Sequence, residues 1–75
     1  MKANTSNANI ATRLKQARLH LGLTPRQVSK LVDVNASTIT RIESGATGPR
    51  LTTLVKLAKL YDMTTDDIFV ALNDA

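Results

Sequence analysis

A signal for the start of an α-helix occurs three times in this sequence, and it restricts the fold more than any other feature. Each signal consists of an apolar residue, a Thr or Asn that can serve as N-cap, and a second apolar residue four positions after the cap. The two apolar residues pack on each other across the first turn as a hydrophobic staple. The signals are Leu23-Thr24-Val28, Val34-Asn35-Ile39 and Met63-Thr64-Ile68. They predict three short helices, and their irregular spacing argues against an internal repeat.

The first two of these helices follow each other with only a tight turn between them. Pro25 suits the first helical position, and Gln27 completes a Thr-x-x-Gln capping box with the N-cap residue. The helical period breaks at Asp33, which tolerates the left-handed backbone needed to reverse the chain. We expect helices over about residues 25 to 32 and 36 to 44, the second ended by Gly45. This arrangement is the pattern of a helix-turn-helix, so DNA is the first partner to consider.

Apolar residues at helical spacing predict two further helices, which complete an all-α, compact five-helix domain. The stripe of the first helix, which Gly22 ends, consists of Ile10, Leu14, Ala17 and Leu21. The stripe of the fourth consists of Leu51, Leu54, Leu57, Ala58 and Tyr61. The third start signal begins a fifth helix over about residues 65 to 72. We expect a flexible N-terminal tail over residues 1–9, one domain over residues 10–72 and a C-terminal tail over residues 73–75.

The composition excludes several classes of protein. Seventy-five residues make one small domain with little room for a catalytic cleft, and the chain has no cysteine and one histidine. We therefore expect no enzyme activity, no catalytic residues, no metal site and no cofactor. The longest apolar run, residues 68–72, is far shorter than the ~20 residues that span a bilayer, and the first residues lack a signal-peptide core. A soluble cytoplasmic protein without a membrane partner is expected.

The positive charge is concentrated in the first two thirds of the chain. The formal net charge is +4, but residues 1–50 hold eight Lys and Arg against two acidic residues, while residues 51–75 hold two against four. The basic part therefore contains the two adjacent capped helices. This distribution favours a polyanionic partner.

The stretch from Ile10 to Phe69 closely resembles the phage-repressor and Cro type of helix-turn-helix domain of bacterial and phage transcriptional regulators. Three pieces carry the resemblance at their joint spacing: RLKQARLHLGLT, VDVNASTITRIESG and LTTLVKLAKLYDMTTDDIF. It implies the lambda-repressor-like DNA-binding fold, in which helices 2 and 3 form the motif and helix 3 enters the major groove.

Three positions depart from the family's usual pattern. Asp33 replaces a glycine in the turn, and Ser29 replaces an alanine in helix 2. Both changes are mild, because aspartate tolerates the left-handed turn and serine is nearly as small as alanine. Pro25 replaces a common glutamine, so a side-chain contact with the DNA backbone is not expected from this position.

The outward side of helix 3 holds the candidate base-reading residues. An advance of about 100° per residue places Ile39 and Ile42 on the core side. The opposite, outward side of the helix then holds Ser37, Thr40, Arg41 and Ser44. The major groove suits fork-shaped donors, hydroxyl groups and methyl groups. The resemblance implies that the early residues of this helix read bases, so we predict this role for Ala36, Ser37, Thr40 and Arg41.

Phosphate contacts need backbone N–H groups at helix starts and flexible polar or cationic side chains around the groove. Such groups occur at the start of helix 2, at the end of helix 3 with the loop that follows, and on helix 1. The predicted phosphate-binding residues are Thr24, Arg26, Gln27, Ser44, Thr47, Arg50 and Arg13. An ordinary solvated surface remains the alternative for each of them.

Arg18 and Glu43 receive a structural role. Each lies at the edge of the apolar face of its helix, and members of the family often pair an arginine with a glutamate at these positions. The resemblance therefore implies a partly buried ion pair that orients helix 1 against helix 3. Loss of DNA binding after substitution at either residue would not prove a contact with DNA.

These observations favour a sequence-specific regulator that binds double-stranded DNA, expected to be a repressor and a homodimer. The predicted dimer interface consists of Ile68, Phe69, Val70, Ala71 and Leu72. The alternative is a protein-interaction module, such as an antitoxin whose main partner is a toxin, and one chain can combine both roles. Tyr61 and Phe69 are the only aromatic residues and both lie on apolar stripes, so no RNA partner is expected.

Overall fold

The computed structural model describes residues 5–64 and 66–68, with side chains described from residue 9 onward. Four helices are complete: α1 (Thr5–His20), α2 (Pro25–Val32), α3 (Ala36–Glu43) and α4 (Leu51–Leu60). Residues 66–68 are helical and begin a fifth helix, α5, at the predicted place. The prediction of an all-helical domain is confirmed, and the described residues contain no strand. None of their helices is long and apolar enough to cross a bilayer.

Helix α1 begins earlier than the apolar pattern predicted. Residues 5–9 were assigned to a tail, but they form the first turns of α1. Ile10 and Leu14 are fully buried, and a helix that packing has fixed there extends at low cost through the preceding residues. Residues 1–4, 65 and 69–75, which include the predicted C-terminal tail and most of the predicted fifth helix, lie outside the described residues.

Each complete helix is followed by one residue with a left-handed backbone. The positive φ angles are 71° at Gly22, 57° at Asp33, 80° at Gly45 and 56° at Asp62. After α1, the N–H of Gly22 donates to Leu19 O at 2.9 Å, and the N–H of Leu23 donates to Arg18 O at 3.2 Å. These bonds form a Schellman motif, which satisfies the last carbonyl groups of the helix. The predicted turn residues are confirmed, including the aspartate that replaces a glycine between α2 and α3.

The helix starts follow the predicted capping chemistry with one exception. Thr24 Oγ1 accepts from the N–H of Gln27 at 3.1 Å, and Gln27 Oε1 accepts from the N–H of Thr24 at 2.8 Å. Thr64 and Asp67 make the same reciprocal pair of bonds at 2.9 and 3.0 Å. Asn35 occupies the N-cap position of α3, but its side chain makes no capping hydrogen bond. The expected side-chain cap at Asn35 is therefore wrong, because only the carbonyl of this residue joins the first turn, by accepting from Thr38 and Ile39.

The core lies where the helices meet, and it contains most of the residues that the apolar pattern selected. Its buried members are Ile10, Leu14, Val28, Val32, Ile39, Ile42, Leu54, Leu57 and Tyr61. The staple residues Leu23, Val34, Met63 and Ile68 pack against them. Two stripe residues are exposed instead, Leu21 by 49% and Leu51 by 75%. Leu21 lies in the turn after α1 and Leu51 is the first residue of α4, so helical periodicity does not place either side chain on the core.

Candidate nucleic-acid interface

Helix α3 is anchored by one side and presents the other to solvent. Ile39 and Ile42 are 1% and 2% exposed, so their side chains fix the rotation of the helix about its axis. The side chains of Ser37, Thr40 and Arg41 are exposed, and Ala36 is half-buried. The predicted base-reading residues therefore share one accessible face on a rigidly packed helix.

The polar groups on this face differ in how they are already engaged. Thr40 Oγ1 donates to Ala36 O at 3.0 Å, so its proton is used while its methyl group and lone pairs remain available. Ser37 and Arg41 make no side-chain hydrogen bond or ion pair with the rest of the described chain. Of these residues, Arg41 is the strongest candidate for recognition, because its guanidinium is exposed and lacks a carboxylate partner.

Ser44 was predicted to bind phosphate, but its hydroxyl group serves the end of α3. It donates to Arg41 O at 2.9 Å and accepts from the N–H of Ala46 at 3.3 Å. A contact with phosphate through this hydroxyl would have to replace the bond to Arg41 O. Ser44 is exposed, so its role as a phosphate ligand stays a prediction.

The start of α2 offers polar groups at one end of the helix-turn-helix. The capping box uses the oxygen atoms of Thr24 and Gln27 as acceptors and leaves the hydroxyl proton of Thr24 and the side-chain amide protons of Gln27 to donate elsewhere. Arg26 is exposed beside them and forms no ion pair within the described residues. The three side chains predicted to bind phosphate here are therefore accessible together.

A polar groove of about 260 Å³ lies between the end of α3, the following loop and the start of α4. It is lined by Thr38, Arg41, Ile42, Thr47, Gly48, Arg50 and Thr53. The groove brings together Arg41, from the base-reading set, with Thr47 and Arg50, from the phosphate-binding set. Two unpaired guanidinium groups at one polar groove make it attractive to an anion.

Arg13 lies apart from these residues. It lines a second groove with Gln16, His20 and Met63, and its Nη2 atom is 4.0 Å from Asp67 Oδ1. Hydrogen bonds from the backbone and side chain of Thr64 lower the pKa of Asp67, and the charge of Arg13 lowers it further. The structure therefore places Arg13 beside a carboxylate at the start of α5 and outside the polar groove that holds Thr47 and Arg50.

Arg18 and Glu43 form the ion pair that the resemblance implied. Arg18 Nε donates to Glu43 Oε2 at 2.8 Å, and Arg18 Nη2 donates to Glu43 Oε1 at 2.9 Å. A third bond joins Arg18 Nη1 to Leu23 O at 2.7 Å. Both side chains are only 8% exposed, and the hydrogen bond to Glu43 raises the pKa of Arg18. The pair ties α1 to the end of α3 and so helps to hold the outward face of α3 in place.

Comparison with known proteins identifies the family. A sequence model of the helix-turn-helix family matches residues 14–68. The chain belongs to the helix-turn-helix family. Two relatives of this helix-turn-helix protein, both named uncharacterized HTH-type transcriptional regulators of Archaeoglobus fulgidus, are 30% and 32% identical to it over 59 residues. The matched region covers 79% of this chain and 84% and 83% of theirs, respectively. No solved structure matches the chain significantly.

The structure adds two residues that sequence reasoning missed in this helix-turn-helix protein. Thr38 and Thr53 line the polar groove beside Arg41 and Arg50. Thr38 is half-buried at the edge of α3, and Thr53 lies in the first turn of α4. The threonines at the start of α4, directly after Arg50, were the only sequence signal for this part of the groove. Only the folded chain shows that the start of α4 faces the end of α3.

Proposed function

We propose that this chain is a sequence-specific repressor of transcription that binds double-stranded DNA by inserting α3 into the major groove. Membership of the helix-turn-helix family supports DNA binding. The observation that carries the proposal is the accessible face of α3, with an unpaired Arg41 on a helix anchored by two fully buried isoleucines. A preformed, outward-facing helix of this kind fits the major groove of B-DNA. No enzyme activity is part of the proposal.

The side chains on α3 supply complementary chemistry for reading base edges. The guanidinium of Arg41 suits the two acceptors of a guanine. The hydroxyl group of Ser37 serves either as donor or as acceptor, whereas the engaged hydroxyl of Thr40 favours contact through its methyl group. Ala36 and Thr40 would then pack against thymine methyl groups.

Two groups of polar residues would hold the DNA backbone on either side of α3. The first is the start of α2 with Thr24, Arg26 and Gln27, and the second is the polar groove with Thr47 and Arg50. Contacts of this kind fix the register of the protein on the duplex without reading its sequence. Arg13 and Ser44 are weaker candidates, because each already has a partner within the chain.

We propose that the repressor acts as a homodimer. One small domain reads few base pairs, and a two-fold pair would read half-sites ~34 to 36 Å apart. Of the proposed dimer residues, Ile68 packs against the core of its own chain, and residues 69–72 lie outside the described residues. Selection of bound duplexes from a random pool would reveal a palindrome if this arrangement holds.

Substitution of two arginines separates base reading from backbone binding. Arg41→Ala should cost about 1 to 3 kcal/mol of binding free energy and relax the preference at one base pair, because it removes a base contact. Arg50→Ala should weaken binding to all duplexes alike and reduce the slope of log affinity against log salt by about 0.9. Fluorescence anisotropy on selected and random duplexes measures both effects.

Lys56→Ala is the matched control, since Lys56 is an exposed cation that lies away from the polar groove. It should leave both the affinity and the base preference nearly unchanged. Equal, sequence-independent losses from the two arginine substitutions would contradict the assigned roles. A flat salt response for the native chain would instead favour the alternative in which another protein is the main partner.

A further inference from the structure

A third surface depression, the α2–α4 groove, lies between the end of α2 and the second half of α4. Its volume is about 520 Å³, and it is lined by Leu31, Val32, Asp33, Lys56, Lys59 and Leu60. It shares no residue with the polar groove or with the outward face of α3. A ligand seated in this groove would therefore leave the proposed base-reading residues uncovered.

Exposed apolar side chains lie in and beside the α2–α4 groove. Leu31 is 61% exposed, and Val55, one residue before Lys56 on α4, is 43% exposed. Single exposed leucines are common on protein surfaces. Here an exposed leucine lies beside Leu60 in one depression, which is a shape that accepts an apolar side chain from another molecule.

The charges at the α2–α4 groove are unpaired and mainly positive. Lys56 and Lys59 have no carboxylate within ion-pair distance among the described residues, although Asp33 lines the same depression. An incoming acidic side chain could pair with either lysine without breaking an existing ion pair. An incoming basic side chain would meet two like charges.

We propose that the α2–α4 groove binds an amphipathic helix of a partner protein whose apolar side is flanked by acidic residues. The apolar lining selects a helix that inserts leucine-like anchors, which is a recurrent mode of recognition. The two lysines select acidic flanks. A second copy of this chain fits less well, because each groove would bring two lysines and only one aspartate into a groove-to-groove contact, which leaves an excess of positive charge. The inference concerns a surface separate from the DNA-binding face and does not depend on the proposed DNA sequence preference.

A synthetic probe tests this proposal directly. The probe is a helical peptide with leucines at positions i, i+4 and i+7 and glutamates beside them, titrated into the ¹⁵N-labelled full chain and followed by NMR. The amide signals of Leu31, Lys56 and Leu60 should shift, while those of Ser37 and Thr40 should not. A control peptide with every glutamate replaced by lysine should bind about tenfold more weakly, because two modest exposed charge pairs are lost and like charges take their place.

Charge reversal on the protein provides the matched control. The double variant Lys56→Glu and Lys59→Glu should lose affinity for the glutamate peptide by about tenfold and gain affinity for the lysine peptide. Leu31→Ser should weaken the binding of both peptides and leave DNA affinity unchanged, and unchanged amide signals away from the groove show that the variant folds.

Three results would overturn the proposal. The first is the absence of any shift at millimolar peptide, and the second is a set of shifts confined to α3. The third is a concentration-dependent shift of the Leu31 and Lys56 signals without peptide, which would show that a second copy occupies the groove. DNA binding is measured separately, so failure of this proposal and failure of the repressor proposal are distinguishable.

Discussion

At the scale of single residues, Tyr61 is buried and its hydroxyl group has no partner among the residues that the structure describes. Its hydroxyl oxygen is fully buried without a hydrogen bond to any described residue. Burial raises the pKa of Tyr61 to about 12, and the negative charge of Glu43 acts in the same direction. The ring stabilises the core, whereas the hydroxyl group opposes folding. A buried polar group without a partner loses its hydrogen bonds to water and gains none within the protein.

Tyr61→Phe should therefore raise the free energy of unfolding at pH 7 by about 1 kcal/mol. A second effect depends on pH. Because the pKa of Tyr61 is higher in the folded chain than its ordinary value of 10.0, the native protein should lose stability as the pH rises from 10 toward about 12. This loss amounts to about 2 to 3 kcal/mol and should be absent in the variant.

Urea unfolding of both proteins between pH 7 and 12 measures this difference. The native chain and the variant share every other titrating group, so the comparison isolates Tyr61. Parallel stability profiles across that interval would show that the hydroxyl group ionises as readily in the folded chain as in the unfolded one.

At the scale of single elements, α2 and α3 begin in different ways although their sequences carry the same signal. Helix α2 has a complete capping box, whereas the side chain of Asn35 leaves the first N–H groups of α3 without a side-chain acceptor. The staple residues of both helices pack against the core. Packing of the staple residues therefore stabilises the start of α3, whereas the start of α2 also has side-chain capping hydrogen bonds.

Thr24→Ala should lower the free energy of unfolding by about 0.5 to 2 kcal/mol, because it removes the acceptor of the Gln27 N–H. Asn35→Ala is the matched comparison and should change stability by less than about 0.5 kcal/mol, since no capping bond is lost. Thermal unfolding by circular dichroism measures both variants. A loss at Asn35 as large as that at Thr24 would show that the Asn35 side chain caps α3 in solution.

At the scale of the whole molecule, local chemistry was predictable and contacts between helices were less so. Capping boxes, staples and left-handed turn residues are encoded within a few positions, so the sequence placed the turns at Gly22, Asp33 and Gly45 correctly. The start of α1 has no comparable local signal, and the tail predicted over residues 5–9 is helical. The exposure of Leu51 depends on where α4 first meets the core, which periodicity does not specify.

The candidate site shows the same division. The outward face of α3 follows from helical rotation, but the polar groove requires α3 and α4 to meet. Thr38 and Thr53 were therefore missed. The Arg18–Glu43 pair, 25 positions apart in the chain, came from family resemblance and not from spacing. From the sequence, Arg13 is a basic residue on an exposed helix face. Only the folded chain shows that it lies close to Asp67.

The Arg18–Glu43 pair joins two helices, so its removal should act on the entire domain. Glu43→Leu leaves a buried guanidinium without its carboxylate and should cost about 3 to 5 kcal/mol of stability. The double variant Arg18→Met and Glu43→Leu removes both charges and should recover most of that loss. Urea unfolding measures the stability of both variants.

DNA binding of the double variant distinguishes a structural pair from a binding one. Because neither side chain lies on the outward face of α3, the refolded double variant should bind duplex DNA with nearly native affinity. If the double variant were as unstable as Glu43→Leu, the ion pair would stabilise the fold beyond cancelling the cost of burying its own two charges.

The left-handed backbone of Asp33 and the bond from the N–H of Val34 to Ser29 O at 3.1 Å fix the turn between α2 and α3 before any ligand arrives. Such preorganisation means that little conformational entropy is lost on association, since the joint is already locked by bonds within the chain. A small molecule that loosened this turn would lower the affinity for every duplex equally, although it would not contact the DNA.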